Sequence, residues 1–397
     1  MSADRNHALP FRLPPPSGGR VDLLVIAGEH SGDAHAARMV RDLRARTPGI
    51  AVAALGGPEL AAAGAQLLHD LTGSSVVGFF EVLKHLSFFR ALHDETLRWI
   101  GEHGPRAVCF VDYPGLNLRL AAAMRSRGLS VKGGGRISAL YYISPQIWAW
   151  KAGRRFAMAR DLDALAVIFP FETACYADTS LPVEFVGHPF VAPDYAPAVS
   201  WDPDGPVLLL PGSRRQAVAR IFPVILEGAR LFGERGALVL HPGGEVAAQL
   251  GRIMGGRDEG VTLAPVGAGV HRASAVLTSS GTISMQCALA GIPGAVVYRA
   301  NPLTYLIGRR LVRVRHLGIA NLLLDEPMYP EFIQGAARPA ALAAELRACV
   351  HDPARREKAA RQAAELRSRL AQPAGRTAGE WMERCLAGSA IAGPPGP

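Results

Sequence analysis

The sequence predicts an α/β protein made of two doubly wound halves that face a cleft. Short apolar runs alternate with helical patterns along most of the chain, which is typical of parallel sheets covered by helices. The pattern stops at the proline- and aspartate-rich segment 187–205 and then restarts. A chain of 397 residues also exceeds one ordinary core. We therefore expect two domains joined by a linker.

The same pattern sets the expected boundaries. We expect a disordered leader over residues 1–20 and an N-terminal Rossmann-like domain over 21–190. A linker over 191–205 leads to a C-terminal Rossmann-like domain with terminal helices over 206–370. The residues of 371–397 are expected to form a frayed tail.

Continuous apolar runs mark the buried parallel strands. The first is VDLLVIA at 21–27, which opens the first half. The other expected strands are 51–55, 107–111, 138–143, 164–169, 184–186, 207–210 and 237–240.

The composition indicates which class of partner the protein binds and in which cellular compartment it works. The 43 Lys and Arg against 34 Asp and Glu leave a net charge of +9, which favours anionic partners. No basic block is interleaved with aromatic residues, so we expect no nucleic acid. The five cysteines form no CxxC pair and indicate a reduced, cytoplasmic setting. We expect neither a secretory signal nor a membrane-spanning segment.

Three strand-to-helix loops are candidates for anion binding. They are Gly28–Asp33, Pro211–Arg214 and Ser279–Thr282. Each places backbone N–H groups at a helix start, where an anion is favoured, and Arg214 adds a guanidinium suited to phosphate. None has the spacing of a dinucleotide fingerprint or a P-loop. Turn formation and helix capping by the same residues stay open as the alternative.

Asp112 is the strongest single candidate for a catalytic residue. It ends the apolar run AVCFV, so its carboxylate is placed to act as a general base at the carboxyl edge of a sheet. A turn-forming or capping role is the alternative. Asp161 and Asp163 form a DxD pair that could bind a metal, although capping before a strand is the simpler interpretation.

The segment 76–89 is unusually apolar and suits an amphipathic helix. A core helix and an interfacial helix that contacts a membrane or acyl chains both remain open. The expected apolar face consists of Phe79, Phe80, Leu83, Leu86 and Phe89. A second cationic run, Arg309, Arg310, Arg313 and Arg315, is either a solvated face or a site for anionic headgroups.

Several stretches together resemble the lipid-A-disaccharide synthase family, inverting glycosyltransferases of GT-B architecture. In chain order they are AGEHSGD (27–33), VGFFEVL (77–83), VDYPGLN (111–117), YYISPQIWAWKAGR (141–154), FPFE (169–172), FVGHP (185–189), LLLPGSR (208–214), SSGTISMQCALAGIP (279–293), YR (298–299) and NLL (321–323). They span residues 21 to about 335 in the family's order.

The resemblance implies a reaction. A UDP-2,3-diacylglucosamine donor transfers its sugar to 2,3-diacylglucosamine 1-phosphate, giving a β-1,6-linked disaccharide 1-phosphate and UDP in lipid A biosynthesis. The implied location is the cytoplasmic face of the inner membrane, with peripheral attachment. The resemblance implies no cofactor and no metal, because helix ends and basic side chains would neutralise the leaving diphosphate.

The resemblance also assigns roles to the domains and to individual residues. The N-terminal domain would take the acceptor and contact the membrane, and the C-terminal domain would take the UDP-sugar donor. Asp112 would be the base, and Arg214 would share the stabilisation of the leaving diphosphate. The donor would be bound by Ser213, Arg214, Ser280, Gly281, Thr282, Gln286 and Asn321. Glu29 and Ser31 would face the acceptor.

Three positions depart from the family pattern. Gln286 replaces a glutamate that holds ribose hydroxyls in related enzymes, Ala217 stands near a usual acidic residue, and Gly115 replaces a frequent aspartate. A divergent GT-B protein with an altered acceptor or reduced catalysis, including a non-catalytic scaffold, therefore stays open. A nucleotide-sugar 2-epimerase is a further alternative, but it would not require the apolar face of 76–89.

Overall fold

The fold is taken from a computed structural model of the chain. It describes residues 12–72, 86–256, 260–301, 305 and 315–388. Within these ranges the chain divides into two compact units. The first unit is formed by residues 1–187 and 373–397, and the second by residues 188–372.

The first unit contains a seven-stranded parallel sheet in the order β3-β2-β1-β4-β5-β6-β7 among its described residues. Its strands are β1 (Leu23–Ala27), β2 (Val52–Gly56), β3 (Gln66–Asp70), β4 (Ala107–Val111), β5 (Ser138–Tyr142), β6 (Ala164–Val167) and β7 (Val183–Phe185). The central strands β1 and β4 are buried along their whole length. Strands covered on both faces read as continuous apolar runs, which is why the sequence revealed them.

Helices connect these strands, and further helices follow them. They are α1 (His30–Arg46), α2 (Pro58–Ala62), α3 (Leu86–His103), α4 (Pro114–Ser126) and α5 (Arg154–Asp161). Short 3-10 turns lie at Val131–Gly133 and Pro170–Tyr176. The core between helices and sheet includes the buried Trp99, Phe110 and Tyr141.

The second unit repeats the same strand order. Its described residues form a six-stranded parallel sheet, β11-β10-β9-β13-β14-β15, which corresponds strand for strand to 3-2-1-4-5-6. The strands are β9 (Val207–Leu210), β10 (Ala237–His241), β11 (Val261–Pro265), β13 (Ala275–Thr278), β14 (Gly294–Tyr298) and β15 (Glu331–Ile333). A separate pair is formed by β8 (Val199–Trp201) and β12 (His271–Ala273).

The helices of the second unit follow its strands. They are α6 (Arg215–Phe232), α7 (Gly244–Met254), α8 (Thr282–Leu289), α9 (Ile319–Leu324), α10 (Pro339–His351) and α11 (Pro353–Leu370), with 3-10 turns at Pro189–Val191 and Gln334–Ala336. Pro223 lies inside α6. The two doubly wound, Rossmann-like units confirm the predicted fold class.

Three of the expected boundary segments differ in the structure. Residues of the expected linker 191–205 form β8, which pairs with β12. In the expected disordered leader, the Leu13 N–H donates to Glu95 Oε1 at 2.7 Å, and Trp99 Nε1 donates to the Pro14 carbonyl at 2.8 Å. The described leader residues are therefore packed onto α3. The apolar Leu13, which is buried, supplies the driving force.

The C-terminal segment also differs from the expected frayed tail. Residues Ala378–Leu386 form α12, which packs against α1 in the first unit. The helix begins with a capping box between Thr377 and Glu380, and its Trp381 is 1% exposed. Arg46 of α1 pairs with Glu380 at 2.7 Å. Burial of a tryptophan contributes more than the loop entropy that would favour fraying.

None of the helices in the described part of the chain is long and apolar enough to cross a bilayer.

Candidate active site

The predicted loops lie at the switch point of each sheet. In the first unit β1 and β4 are neighbours whose connections run to opposite sides, and in the second unit β9 and β13 occupy the same places. Ligands of doubly wound sheets bind outside the carboxyl ends of such strands. The loop Gly28–Asp33 follows β1 and Asp112 follows β4, while Pro211–Arg214 follows β9 and Ser279–Thr282 follows β13. Strand order thus brings each pair of candidate segments together.

Asp112 and Tyr113 form a left-handed turn between β4 and α4. Their φ angles are 44° and 49°, a conformation that side chains with a Cβ rarely adopt. Such residues cost on the order of 1–3 kcal/mol each and persist where the surroundings enforce them, often at functional sites. Asp112 is half-buried and directly follows β4, at the carboxyl edge of the sheet.

Three hydrogen bonds hold the turn in place. The Asp112 N–H donates to the Tyr142 carbonyl at 3.0 Å. The Asp112 carbonyl accepts from the Tyr141 hydroxyl at 2.6 Å and from Asn117 Nδ2 at 2.8 Å. Asn117 is fully buried and its amide also lies 3.3 Å from the Ile26 carbonyl, so it links the end of β1 to the end of β4. Neither Tyr141 nor Asn117 was predicted to support the site.

Glycine at position 28 is required by the turn. A Cβ added there would lie 2.3 Å from Cδ1 of the Tyr113 ring. The ring therefore packs directly on the backbone of the first loop, because no side chain intervenes. The two candidate segments of the first unit are in contact, as their order in the sheet predicts.

A second carboxyl group, that of Glu172, lies close enough to Asp112 for the charge of Asp112 to affect its pKa. Glu172 is 1% exposed and accepts hydrogen bonds from the Phe169 N–H at 3.1 Å and from Trp148 Nε1 at 3.2 Å. Burial raises the pKa of Glu172 to about 7, and the negative charge of Asp112 acts in the same direction. From the sequence, FPFE was only part of the resemblance, and Glu172 was not singled out there as a site residue.

The expected acceptor residues lie at the start of α1. Glu29 is the N-cap residue and Ser31 is in the first turn, and both are partly exposed. The neighbouring Asp33 is buried and has a structural role: its carboxylate accepts from the N–H groups of Gly57 at 2.8 Å and Glu59 at 2.9 Å. It therefore caps α2. The roles of Glu29 and Ser31 stay predictions.

The two candidate loops of the second unit also touch. A Cβ added to Gly212, whose φ is 104°, would lie 3.0 Å from Ser279 Oγ. The Ser279 N–H donates to the Leu210 carbonyl at 2.8 Å, which carries the β9–β13 pairing into the loop. Ser213 and Arg214 are exposed beside this contact, and Arg214 is the N-cap residue of α6. An anion at this edge would meet a guanidinium and backbone donors together.

The segment Ser280–Thr282 opens α8. Gly281 is its N-cap residue with a fully extended backbone, and Ser284 Oγ donates to the Gly281 carbonyl at 2.5 Å. Ser280 Oγ donates to the Leu317 carbonyl at 2.9 Å, so its hydroxyl already ties this loop to the chain before α9. The main-chain groups at the start of α8, more than the Ser280 hydroxyl, are the donors suited to a phosphate.

Gln286 lies one turn into α8 and carries an unused acceptor. Its Oε1 atom is shielded from solvent and has no hydrogen-bond partner among the described residues. Leaving a buried acceptor unpaired costs free energy that a bound donor group would recover. This is the pattern expected of a residue that accepts a hydrogen bond from a ligand.

Asn321 has a different environment from the one expected of a donor contact. Its Nδ2 donates to the Tyr329 carbonyl at 2.7 Å and to Glu331 Oε1 at 2.9 Å, and its Oδ1 accepts from the Tyr329 N–H at 2.9 Å. Both N–H groups of its buried amide are therefore occupied. Glu331 in turn accepts from the N–H groups of Leu317 and Gly318 at 2.9 Å. Asn321 thus supports the segment that Ser280 contacts.

The apolar face is only partly described. Phe79, Phe80 and Leu83 lie outside the described residues, and of Leu86 only its place in α3 is described. Phe89 is partly buried against the core of the first unit. Arg309, Arg310 and Arg313 also lie outside the described residues, while Arg315 is exposed with Asp325 at 3.8 Å.

The DxD pair has a structural role. Asp161 pairs with Arg125 at 2.7 Å and with Arg160 at 2.8 Å, and Asp163 accepts from the Ala139 N–H at 2.7 Å. These partners place the two carboxylates in the frame that joins α5, α4 and β5. The contacts are ion pairs and a hydrogen bond to a strand, so the expected capping role is not what these carboxylates perform.

Comparison with known proteins supports both the fold and the family. The family model of lipid-A-disaccharide synthetase matches residues 23–241 and 264–383. A lipid-A-disaccharide synthase of Geobacter metallireducens is 36% identical over 368 residues, which cover 88% of this chain and 92% of the relative. One from Nitrosococcus oceani is 33% identical over 92% of this chain and 96% of the relative.

Solved structures with the same fold have much lower identity. UDP-GlcNAc 2-epimerase from Neisseria meningitidis, bound to UDP-GlcNAc, has a TM-score of 0.53 at 12% identity and covers 86% of this chain and 94% of its own. The calicheamicin glycosyltransferase CalG4 has a TM-score of 0.51 at 17% identity and covers 93% and 98%. These likenesses show the fold alone, which glycosyltransferases and epimerases share.

Two doubly wound units with anion-suited loops at both switch points define a protein of the GT-B class. The family match covers most of both units and includes Asp112, Arg214 and the start of α8. The chain belongs to the lipid-A-disaccharide synthetase family.

Glu172 gives the first prediction, which concerns stability against pH. Its pKa is raised from 4.5 to about 7 in the folded protein, so the folded state retains a proton that the unfolded chain releases between these values. The free energy of unfolding contributed by this group therefore falls as pH rises from about 4.5 to about 7. We expect that Glu172→Gln removes a fall on the order of 3 kcal/mol.

The measurement is the free energy of unfolding in urea at pH 5 and at pH 8, for the parent and for Glu172→Gln. The matched control is Glu59→Gln, at an exposed position in the same unit, and its free energy of unfolding should change between the two pH values as that of the parent does. An equal pH dependence of Glu172→Gln and its parent would contradict the assignment of a protonated, buried Glu172.

Proposed function

We propose that the protein joins UDP-2,3-diacylglucosamine to 2,3-diacylglucosamine 1-phosphate, releasing UDP and a β-1,6-linked disaccharide 1-phosphate for lipid A. Membership of the synthetase family supports this reaction. The observation that carries it is the strained turn at Asp112, which places a carboxylate at the switch point of the first unit. The alternative 2-epimerase reaction shares the fold but not the family.

The transfer is a single displacement in this proposal. The Asp112 carboxylate accepts the proton of the acceptor's 6-hydroxyl as the hydroxyl oxygen attacks C1 of the donor sugar. The bond between C1 and the diphosphate oxygen breaks on the opposite face, and its electron pair leaves with UDP. Attack opposite the leaving group inverts the configuration at C1. The proton ends on Asp112 and passes to solvent after release.

The second unit supplies the groups that stabilise the leaving diphosphate. Negative charge grows on its oxygens as the C1–O bond breaks, and donors fixed in advance stabilise that charge most. The exposed Arg214 guanidinium, the Ser213 hydroxyl and the main chain of Ser280–Thr282 are suited to this task. The unused Gln286 acceptor suits a ribose hydroxyl of UDP. Asn321 acts through Glu331 and the chain before α9.

We further propose that the protein works at the cytoplasmic face of the inner membrane without a metal or other cofactor. Its two lipid substrates reside in a membrane, and a net charge of +9 favours an anionic lipid surface. Helix ends and Arg214 take the role that a cation would have at the diphosphate. The apolar segment 76–89 would receive acyl chains.

The second prediction tests the reaction and its base together. Purified protein in detergent and EDTA should release UDP from the diacylated donor only when the 1-phosphate acceptor is present. Asp112→Asn should keep UDP binding and lower turnover by ~10²-fold or more, because an amide cannot accept the proton. Asp94→Asn, exposed on α3, is the matched control and should keep normal turnover.

Two results would count against this proposal. Near-normal turnover of Asp112→Asn would remove Asp112 from the role of base. If the parent protein binds UDP but releases none from the donor, it is a divergent member that binds a nucleotide sugar without this transfer. Gln286, which stands where the family pattern has glutamate, is the reason to test for this outcome.

The third prediction concerns the ribose contact. Gln286→Glu should tighten UDP binding by about 3- to 10-fold, because a charged acceptor forms a stronger hydrogen bond than an amide oxygen. Isothermal titration calorimetry measures the change, with the exposed Gln372→Glu as a control for added charge. Unchanged or weaker binding by Gln286→Glu alone would contradict the ribose assignment.

A further inference from the structure

A cation–aromatic cluster follows β5 in the first unit. The Lys151 ammonium lies 4.5 Å from the centroid of the Trp150 ring, and the Arg154 guanidinium carbon lies 4.9 Å from it. Trp150 is 39% exposed, although it is one of the largest apolar side chains. We call Trp150, Lys151 and Arg154 the Trp150 cluster. It presents two positive charges and an aromatic face to the outside.

The charges of the cluster are uncompensated within the described part of the chain. Neither Lys151 nor Arg154 forms an ion pair there, whereas the neighbouring Arg155 pairs with Asp178 at 2.6 Å and Arg160 with Asp161 at 2.8 Å. Two like charges beside one ring repel each other unless an anion joins them. The cluster thus has the charge and the open face of an anion site, in a stretch where the other arginines are structural.

The backbone of the cluster is held in an unusual conformation. Lys151 has a φ of 53°, which a residue with a Cβ rarely adopts. The preceding segment is anchored below the surface, since Trp148 Nε1 donates to the buried Glu172 and Ser144 Oγ lies 2.6 Å from the Tyr176 hydroxyl. A strained residue on an anchored segment is a preorganised one. The Lys151 side chain is therefore presented from a fixed loop.

The cluster belongs to the same edge of the sheet as Asp112. Val111 pairs with Tyr142, so the segment that carries Trp150 leaves β5 beside the turn that carries Asp112. Tyr141 connects the two, because its hydroxyl donates to the Asp112 carbonyl. Burial raises the pKa of that hydroxyl, Asp112 raises it further and Arg154 lowers it, so both charged groups act on one atom.

From this placement we propose that Trp150, Lys151 and Arg154 bind the phosphate monoester of the sugar acceptor and thereby orient its hydroxyl toward Asp112. The inference rests on the proposed function and adds the residues that would select a phosphorylated acceptor. The guanidinium donates two parallel hydrogen bonds to phosphate oxygens, and the ammonium adds a point charge. The Trp150 ring offers an apolar face for the sugar ring.

A membrane phospholipid headgroup presents the same phosphate chemistry. We commit to the acceptor because the cluster lies beside the turn of the proposed base, where a substrate phosphate would set the distance to the reacting hydroxyl. The two sources make different predictions. An acceptor subsite acts only on substrates that carry the phosphate, while a headgroup site acts on association with vesicles.

The test uses the full-length double variant Lys151→Gln/Arg154→Gln and two acceptors, one with and one without the 1-phosphate. Loss of two charge-assisted contacts should raise KM for the phosphorylated acceptor by about 10- to 100-fold. KM for the donor should stay the same, and the acceptor that lacks phosphate should react equally with variant and parent. A second double variant, Lys151→Gln/Arg154→Lys, keeps one positive charge and should have a KM for the phosphorylated acceptor between those of the parent and of the first double variant.

Arg127→Gln is the matched control. Arg127 is exposed in the same unit, just after the far end of α4, and should leave both KM values unchanged. Sedimentation with vesicles of phosphatidylglycerol and phosphatidylethanolamine forms the second arm, in which the double variant should associate as the parent does.

Three results would overturn the inference. The first is equal loss with both acceptors, the second is no change with the phosphorylated one, and the third is a loss of vesicle association that accounts for the lost activity. Failure of the proposed function would look different, because the parent protein would then release no UDP with either acceptor.

Discussion

The candidate site of the first unit depends on one main-chain oxygen. The Asp112 carbonyl accepts hydrogen bonds from the Tyr141 hydroxyl and the Asn117 amide, and these bonds stabilise a left-handed pair of residues that would otherwise be unfavourable. Asn117 reaches the end of β1 as well, and Gly28 leaves room for the Tyr113 ring. The position of the proposed base, the contact between the two loops and the start of α4 all follow from this arrangement.

The second unit uses the same strand order for a different task. Its switch point contains no strained carboxylate turn but two small-residue loops in contact, with the exposed Arg214 beside them. In the proposed mechanism, the repeated scaffold presents the proton acceptor in one unit and the groups that stabilise the diphosphate in the other. The support behind each site is also distinct: buried Tyr141 and Asn117 in the first unit, and Asn321 with Glu331 in the second.

The sequence predicted the sheets well because both faces of each central strand are buried and the apolar runs are continuous. It also predicted that Asp112, Arg214 and the start of α8 follow strands, which the structure confirms, while their chemical roles stay predictions. It missed α12 and the packed leader, whose stability comes from contacts distant in sequence, such as Arg46 with Glu380 and Trp99 with Pro14. Local propensity carries no information on such partners. Asn321 was expected at the donor because the resemblance implied it, and its hydrogen bonds to Tyr329 and Glu331 involve residues that the sequence pattern does not connect to it. The left-handed turn of Asp112 and Tyr113 contains no glycine, so no residue type indicated it in advance.

The central claim is a single displacement at the donor sugar with Asp112 as base, and the configuration of the new glycosidic bond tests it most directly. Proton NMR of the purified disaccharide, made from an α-linked UDP donor, gives the coupling constant between the protons H1 and H2 of the transferred sugar. Inversion predicts the large coupling of a β linkage. An α linkage, which is retention, would require a covalent intermediate or attack from the leaving-group face, and would contradict the role assigned to Asp112.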